Sequence, residues 1–184
     1  MGPAATSSHA TAEALVAVLA EAGLTIAAAE SLTGGAVCSA LVAVPGASAV
    51  VRGAVVAYAT DVKCTLLGVP EELVALAGTV DARVARAMAE GVRARLGADL
   101  GVATTGNAGP DASEGKPVGR VHVAIATADD TRDWQLDLDG DRDAIRQATV
   151  TVALSQALAT LAPEPGERRK DLGPSDVEHR YRTQ

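Results

Sequence analysis

Hydrophobic residues recur along this chain with helical spacing in some segments and with strand-like spacing in others. The first segment predicts an amphipathic helix up to about Ala22, where Gly23 ends it. A short buried strand is predicted over residues 25–29, and a helix over residues 36–42, which Pro45 cannot extend. The chain therefore begins in the order helix, strand, turn, helix.

The remaining segments continue this alternation of strands and helices. The predicted elements are, in order, a strand over 50–58, a helix over 61–67, a short helix after Pro70, a helix that Asp81 caps and Gly97 ends, strands over 99–104, 119–126 and 133–138, and a helix over 141–161. Strands joined by helices predict a parallel portion, while the tight last connection predicts an antiparallel hairpin. The pattern therefore predicts an α/β fold with a mixed sheet.

Length and composition favour a single domain. A chain of 184 residues buries a core without disulfides or metals, and with 48% hydrophobic residues but no Phe this core is filled by Ala, Val, Leu and Ile. Residues 1–8 and 163–184 are polar and lack apolar periodicity, so we predict disordered tails on either side of a working domain over 9–162.

Charge and cysteine content exclude several classes of protein. The formal net charge is -7 and the basic residues are scattered among acids, which argues against a nucleic-acid surface. The apolar run over 14–20 is too short for a membrane span and is bracketed by Glu13 and Glu21. Cys38 and Cys64 have no CxxC spacing, which argues against a zinc site or a disulfide framework and favours a reduced, cytoplasmic setting.

The segment 30–35, with the sequence ESLTGG, follows the first strand and precedes a helix. Ligands of open α/β sheets bind at the carboxyl ends of strands, so the hydroxyl of Ser31 is a candidate nucleophile. Gly34 and Gly35 let the backbone approach a ligand closely, and the helix N-terminus favours an anion. The alternative is a structural role, in which Ser31 or Thr33 only caps the helix.

Lys63 lies in a second segment of this kind, residues 58–63, which leaves a strand and enters a helix. It is one of only three lysines in a chain that otherwise uses arginine for positive charge. Unlike arginine, a desolvated lysine loses its proton and acts as a base, so a lysine beside a serine hydroxyl can replace the histidine of a catalytic triad. The alternative is a solvated lysine on a helix face.

The third segment, residues 104–110, ends a strand and leads into a loop whose composition fits a flexible lid. Thr105 is a candidate hydrogen-bond partner of the nucleophile or the substrate, and the glycine N–H groups are candidates for an oxyanion pocket. A plain loop between strands is the alternative. At the last helix, Arg142 or Arg146 is either a phosphate partner or an ordinary surface arginine.

Other kinds of catalytic site find no support in the sequence. The histidines form no Ser-His-Asp arrangement, and the carboxylates have no metal-ligand spacing. Neither glycine segment matches a Walker loop or a GxGxxG fingerprint. We therefore expect neither a metal nor a cofactor.

Several motifs occur together and in one order. They are ESxTGG at 30–35, VPGxS at 44–48, Tyr58 and Lys63 followed by LLGV at 66–69, TGxAGP at 105–110, KPVG at 116–119 and GDR at 140–142. On these motifs the chain, from about residue 10 to 162, resembles the CinA C-terminal domain family. As a stand-alone chain, that domain is the nicotinamide-nucleotide amidohydrolase of the pyridine-nucleotide cycle.

The resemblance implies a single three-layer αβα domain with a mixed, mostly parallel sheet that assembles into homo-oligomers. It also implies hydrolysis of a small pyridine nucleotide, nicotinamide mononucleotide, to nicotinate mononucleotide and ammonia without a metal. Carried over by position, Ser31 is the nucleophile, Lys63 its base, and Tyr58 and Thr105 are supporting catalytic residues. The implied substrate-binding residues are Thr33, Gly34, Gly35, Gly106, Asn107, Ala108, Gly109 and Arg142.

The chain departs from the family pattern at three places. Residues 59 and 60 are Ala-Thr where Ser-Asn is usual, Asn107 replaces an apolar residue, and residues 111–115 lack a glycine pair. Altered polarity beside a substrate amide changes discrimination between substrates. Two alternatives therefore stay open, an amidase of the same scaffold acting on a different amide, and a nucleotide-binding or oligomeric module without catalysis. The N-terminal domain of longer relatives is missing here, so we expect no second activity.

Overall fold

The computed structural model describes residues 8–162, which place helices on both faces of a five-stranded sheet. The elements are α1 (Ser8–Ala22), β1 (Ile26–Glu30), α2 (Ala36–Val42), a 3-10 turn (Ala47–Ala49), β2 (Val51–Val56), α3 (Thr60–Leu67), α4 (Glu71–Ala77), α5 (Ala82–Leu96), β3 (Leu100–Gly106), β4 (Arg120–Ala126), β5 (Thr131–Asp137) and α6 (Arg142–Thr160). The predicted tails lie outside the described residues, except that Ser8 already belongs to α1.

The sheet has the strand order β2-β1-β3-β4-β5. The interior strand β1 pairs in parallel with β2 and β3, while β4 pairs antiparallel with both β3 and β5. Among the described strands, β4 therefore runs opposite to the rest. The predicted mixed sheet with an antiparallel hairpin is confirmed. The β3–β4 pair is also antiparallel, because a loop without a crossover helix joins these strands.

Strand β1 explains why helices pack on both faces of the sheet. Its sequence IAAAE is buried along its whole length. Ile26 and Ala28 belong to the core that α1, α2 and α6 cover, while Ala27 and Ala29 belong to the core under α5. Small side chains on an interior strand let helices from both sides come close, and the predicted three-layer αβα arrangement is confirmed.

Helix α5 is anchored as the sequence predicts, and it lies close to two neighbouring elements. The side chain of Asp81 accepts a hydrogen bond from the N–H of Arg83, which confirms the predicted N-cap. A methyl group at Gly91 would overlap the carbonyl oxygen of Leu67, and one at Gly101 would overlap that of Ala89. These glycines let α5 touch α3 and β3 directly, and α3 is the helix that carries Lys63.

All five strands have ends that differ by one or two residues from the predicted ones. The strand predicted over 50–58 ends at Val56, so Tyr58 leaves the sheet and leads into α3. The strand predicted over 133–138 begins at Thr131, because the turn before it is closed by hydrogen bonds between Thr127 and Asp130. Alternation of polar and apolar residues cannot show where a turn of this kind begins.

Candidate active site

A cavity of about 470 Å³ opens at the edge of the sheet where β1, β2 and β3 end. Eight of the residues predicted for the site line it, namely Ser31, Tyr58, Lys63, Gly106, Asn107, Ala108, Gly109 and Arg142. The carboxyl ends of parallel strands meet at one edge of a sheet, which explains how segments far apart in sequence share this cavity.

Glu30, the last residue of β1, caps the N-terminus of α2. Its buried carboxylate accepts hydrogen bonds from three backbone N–H groups, those of Gly35, Val37 and Cys38, at 2.9, 3.0 and 2.8 Å. The sequence predicted either an external anion at this helix end or a cap by Ser31 or Thr33. The structure corrects both predictions, because the Glu30 carboxylate already supplies the negative charge and the acceptors.

Thr33, Gly34 and Gly35 form the turn that follows Ser31 and are not among the residues that line the described cavity. The Thr33 hydroxyl is buried against the hydroxyl of Thr104, with 2.7 Å between the two oxygens. Gly34 and Gly35 have φ angles of 62° and 99°, a backbone conformation that favours glycine. The structure therefore gives these three residues a part in shaping the turn rather than a place in the cavity wall.

Arg146 of α6 holds the same turn from outside. Its Nε donates to the carbonyl oxygen of Leu32 and its Nη2 to that of Thr33, both at 3.0 Å. The backbone N–H of Ser31 donates to the carbonyl oxygen of Thr104, also at 3.0 Å. These bonds fix the backbone around Ser31. They also commit Arg146, one of the two predicted phosphate partners, to carbonyl oxygens of the protein itself.

Lys63 is buried, with only 1% of its surface exposed. Its Nζ donates to the carbonyl oxygens of Ala57 at 2.7 Å and Tyr58 at 3.0 Å. Burial lowers the pKa of Lys63 below its ordinary value, and the negative charge of Glu114 acts in the opposite direction with a smaller effect. The alternative of a solvated lysine on a helix face is therefore wrong.

The two carbonyl oxygens define what the amine of Lys63 can do. A neutral lysine amine has two N–H bonds and one lone pair, and the carbonyl oxygens of Ala57 and Tyr58 take both N–H groups. The lone pair is then free to accept a proton. Ser31 lines the same cavity as Lys63, with 9% of its surface exposed. The fold thus places a serine hydroxyl and a lysine that can act as a base in one cavity.

Tyr58 and Arg142 meet at the rim of the cavity. Arg142, the first residue of α6, donates from Nη2 to the Tyr58 hydroxyl at 3.0 Å and from Nη1 to the carbonyl oxygen of Gly109 at 2.7 Å. The side chain of Tyr58 is 62% exposed. A guanidinium group has five N–H donors, so three of them on Arg142 stay available for a ligand within the described part of the chain.

Residues 107–119, between β3 and β4, contribute much of the cavity lining and are called the roof loop below. The side chain of Asn107 organises this loop. Its Nδ2 donates to the carbonyl oxygens of Asp111 at 2.9 Å and Lys116 at 3.3 Å, and its Oδ1 accepts from the N–H of Gly109 at 2.9 Å. Both amide protons and the amide oxygen are thus engaged inside the loop, although the residue was predicted to contact substrate.

Thr105 does not line the cavity, although a bond to the nucleophile or substrate was predicted for it. Its hydroxyl donates instead to the carbonyl oxygen of Thr79 at 2.7 Å. Thr79 lies between α4 and α5 and does line the cavity, together with Val80. No sequence motif marks Thr79. Only the packing of this link against the end of β3 reveals its place in the site.

The chain matches a known family over most of its length. The family model described as the CinA C-terminal domain matches residues 8–161. The chain belongs to this family. A CinA-like protein of Frankia casuarinae is 46% identical over 159 residues, which cover 86% of this chain and 37% of that protein. A CinA-like protein of Gloeobacter violaceus is 50% identical over 146 residues, covering 78% and 34%.

Crystal structures of other CinA-type proteins share the fold. A competence/damage inducible protein from Agrobacterium tumefaciens is similar with a TM-score of 0.81 at 36% identity, covering 88% of this chain and 99% of the other. The competence damage-inducible protein A from Klebsiella pneumoniae has a TM-score of 0.83 at 29% identity, covering 85% and 98%. By contrast, the chain spans about a third of the length of the curated relatives that it matches.

Three further observations bear on chemistry outside the cavity. No helix within residues 8–162 has the length and apolar character needed to cross a lipid bilayer. In the same part of the chain, no group of three or more His, Cys, Asp or Glu side chains is arranged to hold a metal ion. Both cysteines, Cys38 and Cys64, are free thiols.

Proposed function

We propose that this chain hydrolyses the carboxamide of nicotinamide mononucleotide to nicotinate mononucleotide and ammonia, with Ser31 as nucleophile and Lys63 as general base. One observation carries the proposed mechanism. The buried amine of Lys63 has two carbonyl partners that leave its lone pair free, in a cavity that Ser31 also lines. The substrate is the one that membership of the CinA C-terminal family suggests.

The proposed reaction has two halves. In the first, neutral Lys63 takes the proton of the Ser31 hydroxyl while Oγ attacks the carboxamide carbon. The C–N bond then breaks as Lys63 returns the proton to nitrogen, which leaves ammonia and an ester on Ser31. In the second half Lys63 takes a proton from water, the water oxygen attacks the ester carbon, and the proton passes to Oγ as the nicotinate mononucleotide departs.

The environment of Lys63 supports its role as a base at neutral pH. A general base works best when its pKa is close to the operating pH, whereas an exposed lysine is almost fully protonated there. Burial lowers the pKa of Lys63 and so raises the fraction of the neutral amine.

The same cavity contains N–H donors that are candidates to bind negative charge on the substrate. Leu32 and Ala108 line it, and within residues 8–162 their backbone N–H groups make no hydrogen bond. We assign these two N–H groups to the oxyanion that forms when Ser31 attacks. Arg142, with three guanidinium N–H donors left over, is assigned to the phosphate of the nucleotide.

The test is ammonia release from nicotinamide mononucleotide by the purified protein. Ser31→Ala and Lys63→Ala should each lower the rate by a factor of about 10² to 10⁴. Ser155→Ala, an exposed serine of α6, and Lys170→Ala, beyond the described residues, are matched controls and should leave the rate unchanged. Unchanged ammonia release in Ser31→Ala or Lys63→Ala would contradict the assignment.

Parallel assays with nicotinamide and with its riboside test the substrate. Rapid hydrolysis of either one would indicate an amidase that does not require the phosphate. Tight binding of nicotinamide mononucleotide in calorimetry, without ammonia release, would instead support a nucleotide-binding module that lacks catalysis.

A further inference from the structure

Glu114, in the roof loop, bonds to the link between α4 and α5. Its Oε2 accepts hydrogen bonds from the N–H groups of Thr79 at 2.7 Å and Val80 at 3.3 Å. Its Oε1 accepts from the hydroxyl of Thr79 at 3.0 Å. Thr79 and Val80 belong to the cavity wall, so this one carboxylate joins the roof of the cavity to its wall.

Two backbone features accommodate this contact. Glu114 has a φ of 53° and is, within residues 8–162, the one non-glycine residue with a positive φ. L-residues avoid this region because Cβ comes too close to the backbone, and such strain persists only where surrounding contacts enforce it. On the other side of the contact, a methyl group at Gly78 would overlap Oε2 of Glu114. Both the donor segment and the acceptor residue are thus shaped for this bond.

Thr79 carries the contact into the sheet. Its N–H and hydroxyl donate to Glu114, and its carbonyl oxygen accepts from the hydroxyl of Thr105 in β3. The roof loop, the α4–α5 link and the end of β3 are therefore connected through one residue. Thr105 does not line the cavity, but its hydroxyl stabilises this connection through its hydrogen bond to Thr79.

The same carboxylate influences the proposed base. The titratable groups whose charges act on Lys63 are Glu114 from the roof loop and Cys64 from its own helix, and Asp111 and Arg142 line the same cavity. Burial lowers the pKa of Lys63, and Glu114 is the leading group that opposes this shift. Loss of the charge at Glu114 would therefore leave the pKa of Lys63 lower still.

We propose that Glu114 is a positioning residue, which latches the roof loop to the cavity wall through Thr79 and Val80 and holds a negative charge near Lys63. The latch is a property of the folded chain without substrate. Only its kinetic consequence rests on the proposed amidase function.

Hydrogen exchange of backbone amides, followed residue by residue by NMR, tests the latch without any substrate. In Glu114→Ala the N–H groups of Thr79 and Val80 lose their acceptor, and we expect them to exchange about 10- to 100-fold faster. Glu72→Ala, which removes an exposed carboxylate from α4, is the matched control and should leave both rates unchanged. Unchanged exchange in a folded Glu114→Ala protein would overturn the latch.

A second variant separates the latch from the charge. Glu114→Gln keeps a carbonyl acceptor for the two N–H groups but carries no charge, so their exchange should change less than in Glu114→Ala. If Glu114→Ala does not fold, Glu114→Gly takes its place, because glycine also removes the acceptor and suits the φ of 53° at this position. Unchanged exchange at Thr79 and Val80 in Glu114→Gly, compared with the Glu72→Ala control, would overturn the latch.

The pH dependence of kcat/KM tests the charge. Neutral Lys63 is the active form, so activity rises as pH passes its pKa, and in Glu114→Gln this rise should move to lower pH. A purely structural role would lower kcat/KM without moving the rise, and that result would overturn the charge effect. If the wild type releases no ammonia from nicotinamide mononucleotide, the proposed function fails, while the exchange data still decide the latch.

Discussion

Ser31 and the roof loop line the same cavity, but the turn after Ser31 and the roof loop are held in different ways. The turn is fixed by buried or half-buried groups that reach its backbone from several sides, with the carboxylate of Glu30 on its N–H groups and Arg146 on its carbonyl oxygens. The roof loop is organised internally by Asn107 and is tied to the rest of the protein by the side chains of Glu114 and Arg142.

This difference matches what each segment has to do in the proposed reaction. A nucleophile must be held to a fraction of an ångström, because small displacements cost much of the advantage of orientation. A segment that covers a cavity must yield when a ligand enters. The roof loop is held by a small number of side-chain bonds at an exposed position, and such bonds open more readily than those of a buried carboxylate that accepts from three helix N–H groups. The two segments should therefore respond very differently to the loss of one anchoring side chain.

The largest effect is expected at Glu30. Glu30→Ala leaves one buried and two half-buried N–H groups without an acceptor and removes a fully buried side chain, so the free energy of unfolding should fall by about 3 to 5 kcal/mol. Urea denaturation measures this change, with Glu72→Ala as the exposed control. A loss below about 1 kcal/mol would show that the turn is not held as firmly as the contacts indicate.

The two arginines of α6 offer a paired test. Arg146→Met removes two hydrogen bonds to backbone carbonyls of the Ser31 turn and should lower the free energy of unfolding by about 1 to 3 kcal/mol. Arg142→Met acts at an exposed position on the roof side and should cost less than about 1 kcal/mol. It should instead raise KM for nicotinamide mononucleotide. The reverse ranking in urea denaturation would break the contrast between the two segments.

Asn107→Ala tests the internal order of the roof loop. The variant removes the acceptor of the Gly109 N–H and two donors to the loop backbone, so amide exchange at Gly109 should increase about 10-fold. The cost in global stability should stay near 0.5 to 1.5 kcal/mol. Exchange in the Ser31 turn should stay as in the wild type, and faster exchange there would mean that the two segments are coupled.

The smallest effect is a pH dependence of stability that comes from Lys63, which lines the cavity. The pKa of Lys63 is lowered in the folded protein, so between that value and the ordinary lysine pKa the unfolded chain binds more protons than the folded one. The contribution of Lys63 to stability therefore rises with pH across this window.

Urea denaturation of the wild type and of Lys63→Met over a series of pH values checks this prediction. The difference in unfolding free energy should shift in favour of the wild type as pH rises. A difference that does not depend on pH would mean that the pKa of Lys63 is not lowered in the folded state.

Much of the architecture could be predicted because it depends on local patterns. The cap at Asp81 and the stop of α2 before Pro45 follow from a few neighbouring residues, and the structure shows both. Ser31 and Lys63 could be singled out because each follows a strand, and strand ends converge. The capping residue of α2 was predicted wrongly, because Ser31, Thr33 and Glu30 all carry suitable oxygens. Only the path of the turn selects Glu30.

By itself, the sequence determined the order of helices and strands, the family, and the candidate pair of Ser31 and Lys63, because periodicity, caps and motifs are properties of nearby residues. Only the tertiary structure decided that Lys63 is buried on two carbonyl oxygens, that Thr105 supports Thr79, and that Glu114 reaches the link before α5. The physical reason is that burial and hydrogen-bond partners join residues from distant segments. The partner of each side chain is known only after those segments have packed.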